Sequence, residues 1–298
     1  MKKIFLLAFS IIMVLSLVAC KQNPDAVDSP SPEVNNNQIF KIGAIPDLNA
    51  AELARGYDDF AKYLSEKTGL TVEYVPSVDY AALVTGFERG EIHMAWFGGL
   101  TGVQARAVVP EAEAIAQRPS DAEFKSVFIQ QKGLGLTKLE DLKGFNFSFG
   151  SESSTSGHLM PRYFMQEAGI DPDTNLDGKP NYSGSHDKTY KLVESGAFQT
   201  GAVNIQYWEK AVEENAVDLD KVEAFYTTPE YFDYNWTIND VDKIFADGTK
   251  TKVKYTLLSM ERKDSLVMDL LSTDSFIETN NSNYDSIKNV AKKLGIIQ

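Results

Sequence analysis

The chain has 298 residues, a formal charge of −13 and a single cysteine. The acidic balance argues against nucleic acid and against unassisted binding to an anionic lipid surface. One cysteine excludes an intrachain disulfide and a cysteine-based metal site.

Residues 1–20 read as a targeting segment: Lys2 and Lys3 form a basic start, and Ile4 to Val18 is apolar but too short to span a bilayer comfortably. The run Leu17, Val18, Ala19, Cys20 resembles the lipobox of bacterial lipoproteins, which implies cleavage before Cys20 and lipidation of its thiol. Loss of Lys2 and Lys3 takes the charge from −13 to about −15. Residues 21–37, rich in Asn, Pro, Ser and Asp, read as a flexible tether.

About 260 residues follow, enough for two lobes of ordinary domain size. Alternation predicts a strand from Gln38 to Ile45. Leu53, Tyr57, Phe60 and Leu64 mark an amphipathic helix closed by Gly69. A β-branched strand spans Leu70 to Val75. Asp79 is placed to cap a helix carrying Leu83 and Phe87, with Tyr80 in its first turn. Ile92 to Trp96 is a short strand running into Phe97 and two glycines, and a helix covers Leu100 to Ala107. Further strands are expected at Ala112 to Ala116, just before Gln117 and Arg118, and at Phe124 to Gln131.

Gly133 and Gly135 break the pattern, and Leu136 to Leu142 reads as a helical turn. Asn146 to Gly150 reads as a buried strand, followed from Ser156 by a helix that Gly169 stops. Ser154, Thr155 and Ser156 thus fall at a helix start beyond the carboxyl end of a strand. Free N–H groups and the positive end of a helix dipole suit an anion there. One hydroxyl suffices for an N-cap, so three in succession point toward a ligand. Asp187 to Ser195 and the segment with Trp208, Ala211 and Val212 are helical; Gly201 to Val203 and Val222 to Thr227 are strands. Pro229 to Trp236 is unusually aromatic, and within it Asp233 stands between Phe232 and Tyr234. Helices are expected at Asp240 to Phe245, Lys263 to Leu271 and Tyr284 to Leu294.

Strands and helices alternate, which predicts an α/β fold with largely parallel sheets. Punctuation near Gly133 and Pro229 predicts two crossings between lobes: a first lobe of residues 38–131 and 234–298, and a second of 132–233. Ligands of such sheets lie beyond the carboxyl ends of the strands, in the cleft. The candidates on that edge are Tyr80, Trp96, Phe97, Gln117, Arg118, Ser154, Thr155, Ser156, His186, Tyr207 and Asp233. Each has a structural alternative: a helix start for Tyr80, core for Trp96 and Phe97, a surface charge for Arg118, a cap for His186, a turn for Asp233. No nucleophile elbow, Walker loop or His-Glu-x-x-His helix is present. His93 alternates with apolar neighbours and reads as structural.

Val78 to Val84 (VDYAALV), Ala95 to Gly98 (AWFG) and Ser154 to Gly157 (STSG), together with the lipoprotein-like signal, resemble the phosphate/phosphite/phosphonate-binding proteins of ABC importers. The resemblance runs from about Lys41 to Tyr234. It implies a periplasmic-binding-protein fold of type II, two lobes joined by two hinge crossings and closing on the ligand. It implies that Tyr80, the Ser154, Thr155 and Ser156 cradle, His186 and Asp233 meet the ligand. Where phosphonate binders carry an aromatic hydroxyl this chain has Phe124, and where aminoethylphosphonate binders place an acid it has Tyr207. Arg118 is an addition that could neutralise an oxyanion. The motifs Trp96-Phe97-Gly98-Gly99 and Ala116-Gln117-Arg118 also resemble a branch named for selenate binding. The implied protein is a monomeric, lipid-anchored receptor outside the cytoplasmic membrane. It would deliver a small oxyanion to an ABC permease and its ATPase, without cofactor, metal or chemistry on the ligand. A sensory protein presenting ligand to a membrane receptor is the alternative.

Overall fold

The computed structural model describes residues 38–297; Cys20, the targeting segment and the tether lie outside the described residues. The chain opens with β1 (Ile39–Ala44), α1 (Ala50–Thr68), β2 (Thr71–Tyr74), α2 (Tyr80–Glu88), β3 (Met94–Phe97), α3 (Gly99–Val108) and β4 (Glu113–Gln117). It continues through β5 (Ser126–Gln131), β6 (Phe147–Phe149), α4 (Met160–Glu167), β7 (Asn181–Tyr182), α5 (His186–Glu194), β8 (Thr200–Asn204), α6 (Ile205–Glu213) and β9 (Val222–Thr227). It ends with β10 (Asn235–Ile238), α7 (Thr249–Leu258), α8 (Leu266–Leu270), β11 (Ile277–Glu278) and α9 (Asp285–Lys293).

Two sheets result, ordered β11-β4-β10-β3-β1-β2 and β7-β6-β8-β5-β9. Each is the floor of one lobe. Both are mixed, which corrects the expectation of largely parallel sheets. β1 runs parallel to β2 and β3, but β10 lies antiparallel between β3 and β4. β5 is antiparallel to β8 and β9. The reason is the double crossing: a strand that arrives from the other lobe enters its sheet from the opposite end.

The first crossing also falls earlier than expected. Residues 126–131, assigned from sequence to the first lobe, form a strand of the second sheet. Side-chain alternation fixes them there. Val127 and Ile129 pack with Val193, Val203 and Trp208 on one face, and Phe128 packs with Leu142, Phe147, Phe149 and Met165 on the other. Gly133, at φ +87°, turns the chain just after β5 instead of carrying it between lobes.

The crossings are residues 118–125 and 228–234, and they pair with each other. Phe124 and Tyr231 exchange two backbone hydrogen bonds of 2.9 Å. Thr228 N–H donates to Ser126 O and Asp233 N–H to Asp121 O, each at 3.0 Å. Under this two-stranded hinge lies an ion pair. The Arg118 guanidinium donates to both oxygens of Asp121 (2.9 and 2.6 Å) and to Leu271 O (2.8 Å). The rings of Tyr234, Trp96 and Phe124 cover it at 4.8, 5.3 and 5.7 Å.

Candidate functional site

The opening Asn-Ala-Ala-Glu of α1 and the Asp79 cap of α2 show how strand ends feed helix starts on the cleft edge. Asp79 Oδ1 accepts from Ala82 N–H at 2.7 Å, so Tyr80 begins α2 and its ring turns inward, 2% exposed. On the second lobe the strand β6 runs into a π-turn, Thr155–Leu159, before α4 begins. Sequence reasoning expects an α-helix from Ser156. The wider turn arises because Gly157 packs against Gly150 and donates to Ser154 Oγ at 2.9 Å. A Cβ at Gly157 would stand 2.9 Å from Ser154 Oγ and 3.0 Å from His186 Cε1, so this close approach requires glycine.

The cradle then spans the cleft. Thr155 Oγ1 accepts from Leu100 N–H at 2.9 Å, at the start of α3 in the first lobe. Asp233, on the second crossing, accepts from the neighbouring Gly99 N–H through Oδ1 at 2.9 Å. These are closed lobes: Tyr207 Oη donates to Asp47 Oδ2 at 3.0 Å, and Gln206 Nε2 donates to Ser120 Oγ at 2.6 Å.

Among the described residues, seven buried side-chain polar atoms lack a partner within the protein, and four belong to sequence candidates: Tyr80 Oη, Trp96 Nε1, His186 Nε2 and Asp233 Oδ2. Buried polar groups are nearly always paired, so such a concentration marks a place built for a polar ligand. His186 Nδ1 accepts from Asn204 N–H at 3.2 Å, which puts the proton on Nε2 and makes that atom a donor. Burial lowers this imidazole to about 3, so it stays neutral. The oxygens of Ser154 and Thr155 already accept, so each hydroxyl gives its proton elsewhere, that of Thr155 toward Asp233. The first N–H groups of the π-turn, those of Thr155 and Ser156, have no acceptor among the described residues.

Against these donors stands one acceptor. Burial pushes Asp233 up to about 7, although the Gly99 N–H and the Thr155 and Ser156 hydroxyls hold it down. Tyr80, raised by burial and by Asp47 and Asp233, lies close to Ser154 without a full hydrogen bond. The arrangement can hold a small anion by several neutral donors and take one proton from it.

Tyr80, Ser154, Thr155, Ser156, His186 and Asp233 therefore come together; Trp96 stacks on Tyr234 at 5.6 Å and against Trp236, and the remaining candidates also lie elsewhere. Phe97 is core, edge-on to Phe87 at 5.5 Å. Gln117 Oε1 accepts from Tyr284 Oη at 3.0 Å. Arg118 is not available to an oxyanion, because Asp121, which sequence reasoning overlooked, takes its charge. Phe124 is a hinge residue, paired with Tyr231, whose Oη meets Ser126 Oγ at 2.6 Å. Tyr207 bonds Asp47. His93 Nδ1 accepts from Lys41 N–H at 2.8 Å, a structural role as expected. His158 accepts Arg162 Nε–H at 2.9 Å and steadies the cradle from behind. Asp47, Ser126, Tyr231 and Tyr234 were missed; the last two sit in the aromatic run the sequence singles out, and Asp47 lies at the end of the first strand, where the same edge rule applies.

Comparisons with known proteins agree with this fold. The family model for ABC transporter, phosphonate, periplasmic substrate-binding proteins matches residues 42–284. The probable ABC transporter phosphite binding protein PhnD1 of Prochlorococcus marinus is 40% identical over 278 residues, 90% of this chain and 94% of that protein. The structure of that organism's PhnD1 in complex with methylphosphonate superposes with a TM-score of 0.84, at 40% identity, covering 87% of this chain and 99% of that one. A binding protein component of an ABC phosphonate transporter from Pseudomonas aeruginosa shares the fold at a TM-score of 0.74 and 19% identity, with 85% of each chain covered. This chain belongs to the phosphonate family of ABC-transporter periplasmic substrate-binding proteins.

Proposed function

We propose that this chain captures a small phosphorus oxyanion, namely phosphite, methylphosphonate or phosphate, between its lobes and delivers it to an ABC permease. The observation that carries the ligand class is Asp233. Its free oxygen is the lone acceptor facing a set of neutral donors. A fully deprotonated oxyanion such as selenate or sulfate brings no proton to share, so it is repelled whenever Asp233 is ionised and binds only at the cost of protonating it. A phosphorus acid near neutrality still carries a P–OH, whose proton the carboxylate accepts. The methylphosphonate bound in the PhnD1 structure, and that relative's description as a probable phosphite binding protein, support the same class.

The ligand-contacting residues are Tyr80, Ser154, Thr155, Ser156, His186 and Asp233. Capture is by rotation of the two lobes about the paired crossings, with no chemistry on the ligand, and one chain supplies every donor, so the receptor acts as a monomer. Cys20 tethers it to the outer face of the membrane through a lipid. Mass spectrometry of the amino-terminal peptide from membranes tests the tether; an unmodified thiol there removes it.

Titration calorimetry at neutral pH tests the ligand. Methylphosphonate and phosphite are expected to bind far more tightly than selenate, and Thr155→Ala or Asp233→Asn to weaken them by about 1–3 kcal/mol, the range for a charge-assisted hydrogen bond. Tight selenate binding without response to the phosphorus ligands overturns the reading. Unchanged affinity in both variants removes the site.

A further inference from the structure

Asp47 belongs to the loop after β1, in the first lobe, yet two of its contacts are with the second. Its Oδ2 accepts from Tyr207 Oη at 3.0 Å, and its backbone carbonyl accepts from His186 N–H at 3.3 Å. The Tyr207 ring packs against the His186 imidazole at 5.6 Å. Asp47 of the opposite lobe thus bonds the His186 amide directly and backs its ring through Tyr207, while Asn204 N–H holds Nδ1 from within the second lobe. The ring's free edge, Nε2–H, is the donor left for the ligand.

An ordinary loop aspartate would keep its carboxylate in water. Asp47 is 1% exposed, and burying a carboxylate is costly unless it is hydrogen-bonded. Its partner Tyr207 is present only when the lobes meet, whereas the Tyr234 hydroxyl comes from the second crossing. Arg118 and the hydroxyls of Tyr207 and Tyr234 oppose the effect of burial, and together they leave Asp47 at about 6, ionised at neutral pH. Its bond to Tyr207 is therefore charge-assisted.

We infer that Asp47 is an interlobe positioning residue: through Tyr207 and the His186 amide it sets the ligand-donating imidazole as the lobes close, and so governs how long ligand is held. The inference rests on the oxyanion reading above. Open lobes lack these contacts, so ligand encounter should not feel them and ligand escape should.

Stopped-flow binding of methylphosphonate to the full chain tests this. Tyr207→Phe and Asp47→Ala are each expected to speed dissociation about tenfold, the worth of one charge-assisted hydrogen bond, with association unchanged. The double variant should be no worse than either single one, because both remove one contact. Asp47→Asn keeps an oxygen for the Tyr207 hydroxyl and should recover most of the loss. Hydrogen exchange at the His186 amide gives a second readout without ligand: Tyr207→Phe should accelerate it. If the wild type binds none of methylphosphonate, phosphite and phosphate, the oxyanion reading fails while this exchange still decides the role of Asp47. Unchanged dissociation with unchanged exchange, or additive losses in the double variant, overturns the inference.

Discussion

Arg118 is the residue whose role changes most between sequence and structure. In the chain it reads as a free cation at a strand end, a natural partner for an oxyanion. Its neutralisation depends on Asp121, three residues on, and on how the first crossing folds back. Both side chains are almost wholly buried, at 1% and 0% exposure. Removing one partner of such a pair strands the other charge. Arg118→Ala is therefore expected to cost about 3–5 kcal/mol of stability in denaturant titrations, with Asp121→Ala similar. A loss of oxyanion affinity at unchanged stability would instead return Arg118 to the ligand. Asp233 was legible in sequence because it is an acid set between aromatic residues, Phe232 and Tyr234. Asp47 was not, because a Pro-Asp after a strand looks like any turn; only the meeting of the lobes gives it Tyr207.

At the scale of elements, the strand order could not be read from the chain. Alternating strands and helices are common to parallel and mixed sheets, and the direction of a returning strand depends on contacts far away in sequence. α7 escaped notice because its buried positions, Thr249, Val253, Thr256 and Leu257, include two threonines and make a weak apolar stripe. β11 is two residues long. The cradle was visible as Ser-Thr-Ser-Gly, since that many small hydroxyls exceed what a cap needs. Its π-turn was not, because the wider turn follows from the packing of Gly157 on Gly150. That packing is testable. Gly157→Ala would press a methyl into Ser154 and His186. We expect a stability loss of about 1–3 kcal/mol from overpacking, together with weaker ligand binding, in thermal melts and calorimetry. An unaffected variant would show that the turn has room the structure does not contain.

For the whole molecule, two lobes on two crossings were expected from length and punctuation, and the sheets show where the crossings lie. The closed lobes enclose carboxylates that water would otherwise ionise, and this ties ligand binding to protons. Asp233 is raised to about 7 from the ordinary carboxylate range, so the closed site holds a proton that the exposed group would release. Whatever stability that proton brings is complete at acid pH and lost as the pH rises through about 7. With a phosphorus oxyanion in place, a single proton is shared between Asp233 and the ligand. The direct test is to titrate methylphosphonate at about pH 8.5 in buffers of different ionisation enthalpy, which counts the protons taken up on binding. The account predicts uptake of about one proton by the wild type and almost none by Asp233→Asn. No uptake by the wild type, or equal uptake by both proteins, would contradict it.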